Sequence, residues 1–189
     1  VRVALAGAGS HELRPPVPPA GARAAAVLVP LFDEGGETRV VLTRRAAGLS
    51  SHQGEVSFPG GTVGPGETDL DAALREAEEE VGLAPATVEV IGRLDRLLTP
   101  TTGFVLTPFV GAVAGRQVLR PAPDEVEEAF DVPLSRLLDE VVFREERWDQ
   151  PVPDRPVYFF ELGTDTVWGV TARILHQLLS LVTGWESHR

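Results

Sequence analysis

The chain has 189 residues, of which 17 are basic and 28 acidic, giving a formal net charge of −11, and it contains no cysteine. That acidity excludes the basic face on which general nucleic-acid binding depends, and the missing cysteine excludes disulfides, thiolate metal sites and cysteine nucleophiles. At 43% hydrophobic and 24% charged residues, the composition suits one well-filled core in an ordinary globular protein.

Residues 1–23 hold four prolines and several small residues, and read as an irregular N-terminal arm before a single domain over 24–189. The opening VRVALAGAGS has no apolar segment of the secretory kind. The longest early apolar run, AAAVLVPLF (24–32), is interrupted by Pro30 and too short to span a bilayer. The expectation is therefore a cytoplasmic protein with no membrane partner.

From residue 24 the pattern turns regular. AAAVLVPLF, RVVLTRR (39–45) and EVSFPGG (55–61) read as strands separated by turn-rich loops. DLDAALREAEEEV (69–81) has helical periodicity. TVEVIGRLDRL (87–97) and FVLTPFVGAVA (104–114) read as strands again. VEEAFDVPL (126–134) is a strand running into a short helix, with Pro133 suited to its first turn. VYFFEL (157–162) is a last strand and 167–182 a last helix. No internal repeat or low-complexity linker divides 24–183, so the expected fold is α/β, a mixed β-sheet between helices. No heptad or exposed apolar stripe fixes the oligomeric state.

The helix at 69–81 carries an unusual charge. Between Glu67 and Glu80 stand seven acids and one base, Arg75. Thr68 with Asp71 forms a plausible capping box and Gly82 a natural stop. At about 100° per residue, Leu70, Ala73, Leu74, Ala77 and Val81 share a stripe facing the core. Glu76, Glu79 and Glu80 fall together beside it, Glu78 points elsewhere, and Arg75 can tether Glu79.

Taken alone, such a helix is a solvated charged face. Beside a core stripe, however, two carboxylates ~5 Å apart repel by roughly 3 kcal/mol at an effective dielectric constant of ~20. A divalent cation with oxygen ligands turns that repulsion into attraction. The preceding FPGGTVGPGE (58–67) is glycine-rich and lets backbone oxygens approach an ion.

Together, Gly61, five residues, Glu67, seven residues, then Arg75-Glu76-Ala77-x-Glu79-Glu80-x-Gly82-Leu83 resembles the Nudix box, G-x5-E-x7-R-E-U-x-E-E-x-G-U, where U is a bulky aliphatic residue. Ala77 is the one departure, and it lies on the buried stripe. The resemblance implies an α/β/α sandwich that hydrolyses nucleoside diphosphate derivatives with Mg²⁺ or Mn²⁺. It implies metal ligation by Glu76, Glu79, Glu80 and the Gly60 carbonyl. Arg75 would orient a glutamate, and Glu67 would support the metal-bound water. The proton acceptor is a glutamate of the box such as Glu79, or one on a later loop: Glu125, with Asp124 and Glu128 as alternatives.

A second stretch, VLTRRAAGLSSHQGEVSFPGG (41–61), resembles the signature of the Nudix subfamily that cleaves coenzyme A, roughly L-L-T-x-R-[SA]-x3-R-x3-G-x3-F-P-G-G. Leu42, Thr43, Arg45, Ala46, Gly54 and Phe58 through Gly61 fit it. Ser50 stands where the signature has arginine, which removes a phosphate contact that Arg44 is close enough to replace in part. The resemblance makes Arg44, Arg45, Ser50, His52 and Gly54 candidates for the substrate site, with CoA as the small-molecule partner. Trp168 and Phe104 are further aromatics able to stack on adenine. Three alternatives stand: a Nudix hydrolase for ADP-ribose, NADH or a dinucleoside polyphosphate, a Nudix module that binds a nucleotide without cleaving it, and a structural protein whose acidic helix binds Ca²⁺.

Overall fold

A computed structural model describes residues 21–47, 54–99, 103–150 and 153–185. Most of the expected N-terminal arm lies outside them, as do Ser50 and His52. The first strand, β1 (Arg23–Glu34), is the longest, and it is buried through most of its length. Alternate residues serve opposite faces, as the pleat requires. Ala26, Leu28 and Phe32 join one apolar cluster, while Val27, Val29 and Leu31 join the other.

Around β1 a mixed sheet assembles in the order β3-β2-β1-β7-β5. Its members are β2 (Glu37–Arg45), β3 (Val56–Ser57), β5 (Val88–Arg93) and β7 (Phe104–Val113). β1 and β2 are antiparallel, whereas β1 and β7 are parallel. Three further strands attach beside this path: β4 (Gly60–Thr62) on β1, β6 (Leu97–Thr99) on β7 and β8 (Val126–Pro133) on β2. The segment read as one strand over 55–61 is thus two, divided at Phe58-Pro59, where proline cannot donate to a ladder. The segment read as one strand over 87–97 likewise breaks after Arg93.

Helix α1 (Asp69–Val81) covers one face of the sheet, with bounds matching the sequence expectation. The Thr68 hydroxyl accepts from the Asp71 amide, and Gly82 closes the helix at φ 70°, a conformation open to glycine at little cost. The buried side chains are Ala72, Ala73, Ala77, Glu80 and Val81. Leu70 and Leu74 are only partly covered, so the core stripe is rotated toward Glu80 relative to the expected one. Small alanines let the helix lie close to Ala26 and Leu28.

The other face is covered by α3 (Gly169–Thr183) and a second, three-stranded sheet ordered β11-β10-β9. A short helix, α2 (Leu134–Leu137), follows β8 with Pro133 just outside it as N-cap rather than within its first turn. The second sheet contains β9 (Phe143–Trp148), β10 (Arg155–Glu161) and β11 (Thr166–Trp168). β9 escaped the sequence reading because FREERW is mostly charged. Its charges are used across the sheet: Arg144 pairs with Glu161 at 3.1 Å and lies 3.8 Å over the Phe159 ring. Residues 167–168, expected as the start of the last helix, belong to β11 instead.

The architecture is therefore the expected α/β/α sandwich, extended by a small sheet on the α3 side. Leu175 of α3 is fully buried in the larger apolar cluster. Leu175→Ala should cost about 3 kcal/mol and lower the melting temperature by roughly 6–12 °C. Calorimetry reads this directly, and a shift under about 2 °C would contradict the packing described.

Candidate active site

The box face of α1 is organised by Arg75. Its guanidinium donates from Nε to Glu67 Oε1 (2.9 Å), and from Nη1 to Glu76 Oε1 (2.9 Å) and Glu79 Oε2 (2.8 Å). Nη2 reaches Glu67 Oε2 at 3.2 Å and the Thr62 carbonyl at 3.3 Å. A planar fork with five donors suits such a hub as a lysine could not. Hydrogen bonds from Arg75, then from the Gly64 amide, hold the Glu67 carboxyl below its usual pKa.

Glu76 and Glu80 behave differently. Burial pushes the Glu76 carboxyl up, against the pull of Arg75, with Glu79 and Glu125 adding to the rise. Glu80 is only 4% exposed. Burial is the main cause of its rise to about 7; Glu76 and Glu125 add to it, while the Gly60 amide, at 3.2 Å from Oε2, and the charge of Arg45 oppose it.

The glycines before the helix are required by close approach. A Cβ on Gly60 would lie 2.4 Å from the Ala26 carbonyl oxygen, and one on Gly61 would lie 2.5 Å from the Glu76 carboxylate. β4 is thus pressed between β1 and the acids of α1. Gly60 offers its amide to Glu80, a contact the sequence reading, which assigned its carbonyl to a metal, did not foresee.

Glu125 is brought to the box by the end of α1. The Arg120 and Ala122 amides donate to the Val81 and Glu80 carbonyls at 2.8 and 2.9 Å, satisfying groups that a helix terminus leaves open. Glu125 follows in the same loop, and the Ala46 amide donates to its carbonyl at 2.9 Å. Of the alternatives, Glu128 is drawn away by Arg44, 2.7 Å from its carboxylate.

Arg44 and Arg45, neighbours on β2, go to opposite faces. Arg44 shares its face with Val40 and Leu42, and its Nε and Nη2 bind Asp165 at 2.8 and 2.7 Å. That pairing with Asp165, then Glu128, raises the Arg44 pKa and lowers that of Asp165. Arg44, expected to substitute in part for the arginine missing at Ser50, is engaged here by Asp165 and Glu128 and ties the main sheet to the turn before β11. Arg45 instead goes to the α1 side, where its charge pulls the Glu80 pKa down against burial, and its Nε is buried with no hydrogen-bond partner among the described residues. Gly54, at φ 69°, closes the base of the β2–β3 loop by donating to the Arg45 carbonyl at 3.1 Å. Phe104 lies under the Arg23 guanidinium, 4.1 Å from its ring centre, away from the box.

The donor set is suited to a hard divalent ion, since it is made of carboxylate oxygens. Glu80, buried beside other acids, is the group such an ion would relieve most. Among the described residues, however, no three acidic side chains converge closely enough to ligate one ion. Glu67, Glu76 and Glu79 are turned to Arg75, whose single positive charge offsets only part of theirs.

A NUDIX domain model matches residues 22–153. Nudix hydrolase 3 of Caenorhabditis elegans is 35% identical over 175 residues, covering 84% of this chain and 73% of that protein. An uncharacterised Nudix hydrolase, NudL, of Photorhabdus laumondii is 40% identical, covering 85% of each chain. The Nudix domain of Shewanella oneidensis NrtR, solved with ADP ribose, superposes with a TM-score of 0.56 at 14% identity, over 86% of this chain and 89% of that one; this is a likeness of fold. The chain belongs to the Nudix hydrolases. Its class of reaction is pyrophosphate hydrolysis of a nucleoside diphosphate derivative. No described helix is long and apolar enough to cross a membrane.

Two outcomes test this geometry. Glu80 is raised above its unfolded value of 4.5, so its contribution to stability is fully present below about pH 4.5 and is lost as pH rises through about 7. The loss approaches roughly 3 kcal/mol by pH 8. Denaturant unfolding in EDTA at pH 5 and pH 8 should show that loss in the wild type and a smaller one in Glu80→Gln; equal losses would refute it. Arg44→Met should lower stability by about 2 kcal/mol and leave KM within about twofold. A tenfold rise in KM, about 1.4 kcal/mol, would place Arg44 in the substrate site.

Proposed function

We propose that the chain hydrolyses the pyrophosphate of coenzyme A and its acyl derivatives, giving 3′,5′-ADP and 4′-phosphopantetheine or its acylated form. The observation that carries this reading is Arg45. It belongs to the CoA-like signature over 41–61, its charge is felt at Glu80, and its guanidinium Nε is buried with no hydrogen-bond partner among the described residues. A buried donor of this kind is costly unless an acceptor arrives, and a phosphate oxygen is the natural one.

The residues that would hold the metal are Glu76, Glu79 and Glu80, with the Gly60 backbone alongside. When bound, Mg²⁺ or Mn²⁺ makes water a stronger nucleophile and offsets charge developing on the phosphates. The chain's own groups do the rest. Arg75 fixes the rotamers of Glu67, Glu76 and Glu79, and Arg45 grips phosphate.

We assign the proton transfer to Glu125, which is exposed on its loop and whose charge reaches both Glu76 and Glu80. The water oxygen bonds to one phosphorus as its proton passes to Glu125. The bridging P–O bond breaks and its electron pair leaves with the other phosphate. Glu67 serves the water network through its fixed carboxylate.

The experiment is incubation with CoA and Mg²⁺, with ADP-ribose, NADH and EDTA in parallel and products separated by anion exchange. Release of 3′,5′-ADP, blocked by EDTA and at least tenfold faster than the other cleavages, is expected. Faster turnover of ADP-ribose or NADH would transfer the substrate to those compounds. Glu79→Gln should remove most turnover, and Glu125→Gln should lower kcat by about 10²–10⁴-fold with the fold intact. A Glu125→Gln variant within threefold of wild type would remove it from the proton transfer.

A further inference from the structure

A cleft of about 800 Å³ opens between β3, β6, the second sheet and the start of α3. Its size is that of a small-molecule site, typically about 300–1,000 Å³. Five large hydrophobic side chains stand exposed among the described residues, and the two aromatic ones are Trp148 and Trp168, at 37% and 41%. Both line this cleft, with ring centres 6.3 Å apart. Two exposed indoles, tilted 44° to one another, offer aromatic faces on which a planar ring can stack.

Positive groups meet the same space. Arg155 and Arg173 line the cleft, and the Arg155 Nε is buried with no hydrogen-bond partner among the described residues. The charge of Arg173 is felt at Tyr158 and His176. Gly169, Val170 and Thr171, the first turn of α3, form part of the wall, and no side chain caps that helix. Uncapped amides at the start of a 15-residue helix attract anions. Among the described residues one acid, Glu55, also lines the cleft, and it has a partner of its own.

The cleft also lies within reach of the box. Ser57 forms part of its lining and stands three residues before Gly60, a span of at most about 11 Å. That path leads the chain from the cleft to Gly60, whose amide meets Glu80.

We infer that this cleft is the subsite for the nucleoside half of the substrate, with the purine against Trp168 and Trp148 and a ribose-borne phosphate held by Arg155, Arg173 and the start of α3. The inference rests on the CoA reading for that second phosphate. The rest of the site does not require it. A nucleoside diphosphate derivative without the ribose phosphate would use the tryptophans and leave the arginines with little to bind.

The test is binding of 3′,5′-ADP and of ADP to the full chain in EDTA, followed by tryptophan fluorescence and calorimetry, with each variant's melting temperature checked first. We expect 3′,5′-ADP to quench fluorescence and to bind at least tenfold tighter than ADP. Trp168→Ala should weaken both ligands at least tenfold, and Trp168→Phe should restore binding to within threefold of wild type. Arg155→Gln and Arg173→Gln should weaken 3′,5′-ADP at least fivefold while changing ADP less than twofold. Wild-type affinity in Trp168→Ala and both arginine variants would overturn the inference. Equal affinity for ADP and 3′,5′-ADP would overturn the phosphate assignment. The expected binding pattern from a protein that leaves CoA intact with Mg²⁺ would uphold the subsite, and the failure would fall on the proposed reaction.

Discussion

One guanidinium holds this site together. Arg75 bonds to Glu67 before the helix and to Glu76 and Glu79 on it, so a loop and a helix face are fixed by a single planar group. Without it, three carboxylates would repel one another beside a low-dielectric core. With it, their positions are set before any ligand arrives, the condition under which electrostatic catalysis requires least reorganisation. Glu80 alone stays outside its reach, buried on the core side and answered only by a backbone amide and a more distant arginine.

The placement of that helix depends on what it lies against. Ala72, Ala73 and Ala77 present almost no side chain to the sheet, and Gly60 and Gly61 present none. The close approach lets acidic groups sit against β4 without a gap. At the far end, the loop before β8 answers the last carbonyls of the helix and delivers Glu125 to the same side. The acid assigned to proton transfer is thus located by helix termination, a purely structural need.

Much of this was legible in the sequence because it follows from short periods. The helix bounds, its cap and the clustering of Glu76, Glu79 and Glu80 all come from 3.6-residue spacing and local chemistry. The limits were also physical. Spacing showed that Glu80 adjoins the core stripe, but only the alanines' close packing put it inside. β9 was invisible because a strand paired through cross-strand charges has no apolar alternation. The pleat separates Arg44 from Arg45, yet nothing in RR says that Asp165, distant in sequence, will claim the first. The cleft at Trp148 and Trp168 is assembled from six elements, so no local motif announces it.

The contact between Gly60 and Glu80 has a practical consequence. A backbone proton aimed at a nearly buried carboxylate senses that group's charge through its resonance frequency. Glycine amides occupy a distinct region of a nitrogen–proton correlation spectrum, so the Gly60 peak can be followed by itself. Titrating the labelled protein would therefore turn one peak into a voltmeter for the acid at the centre of the site, readable before any substrate is known.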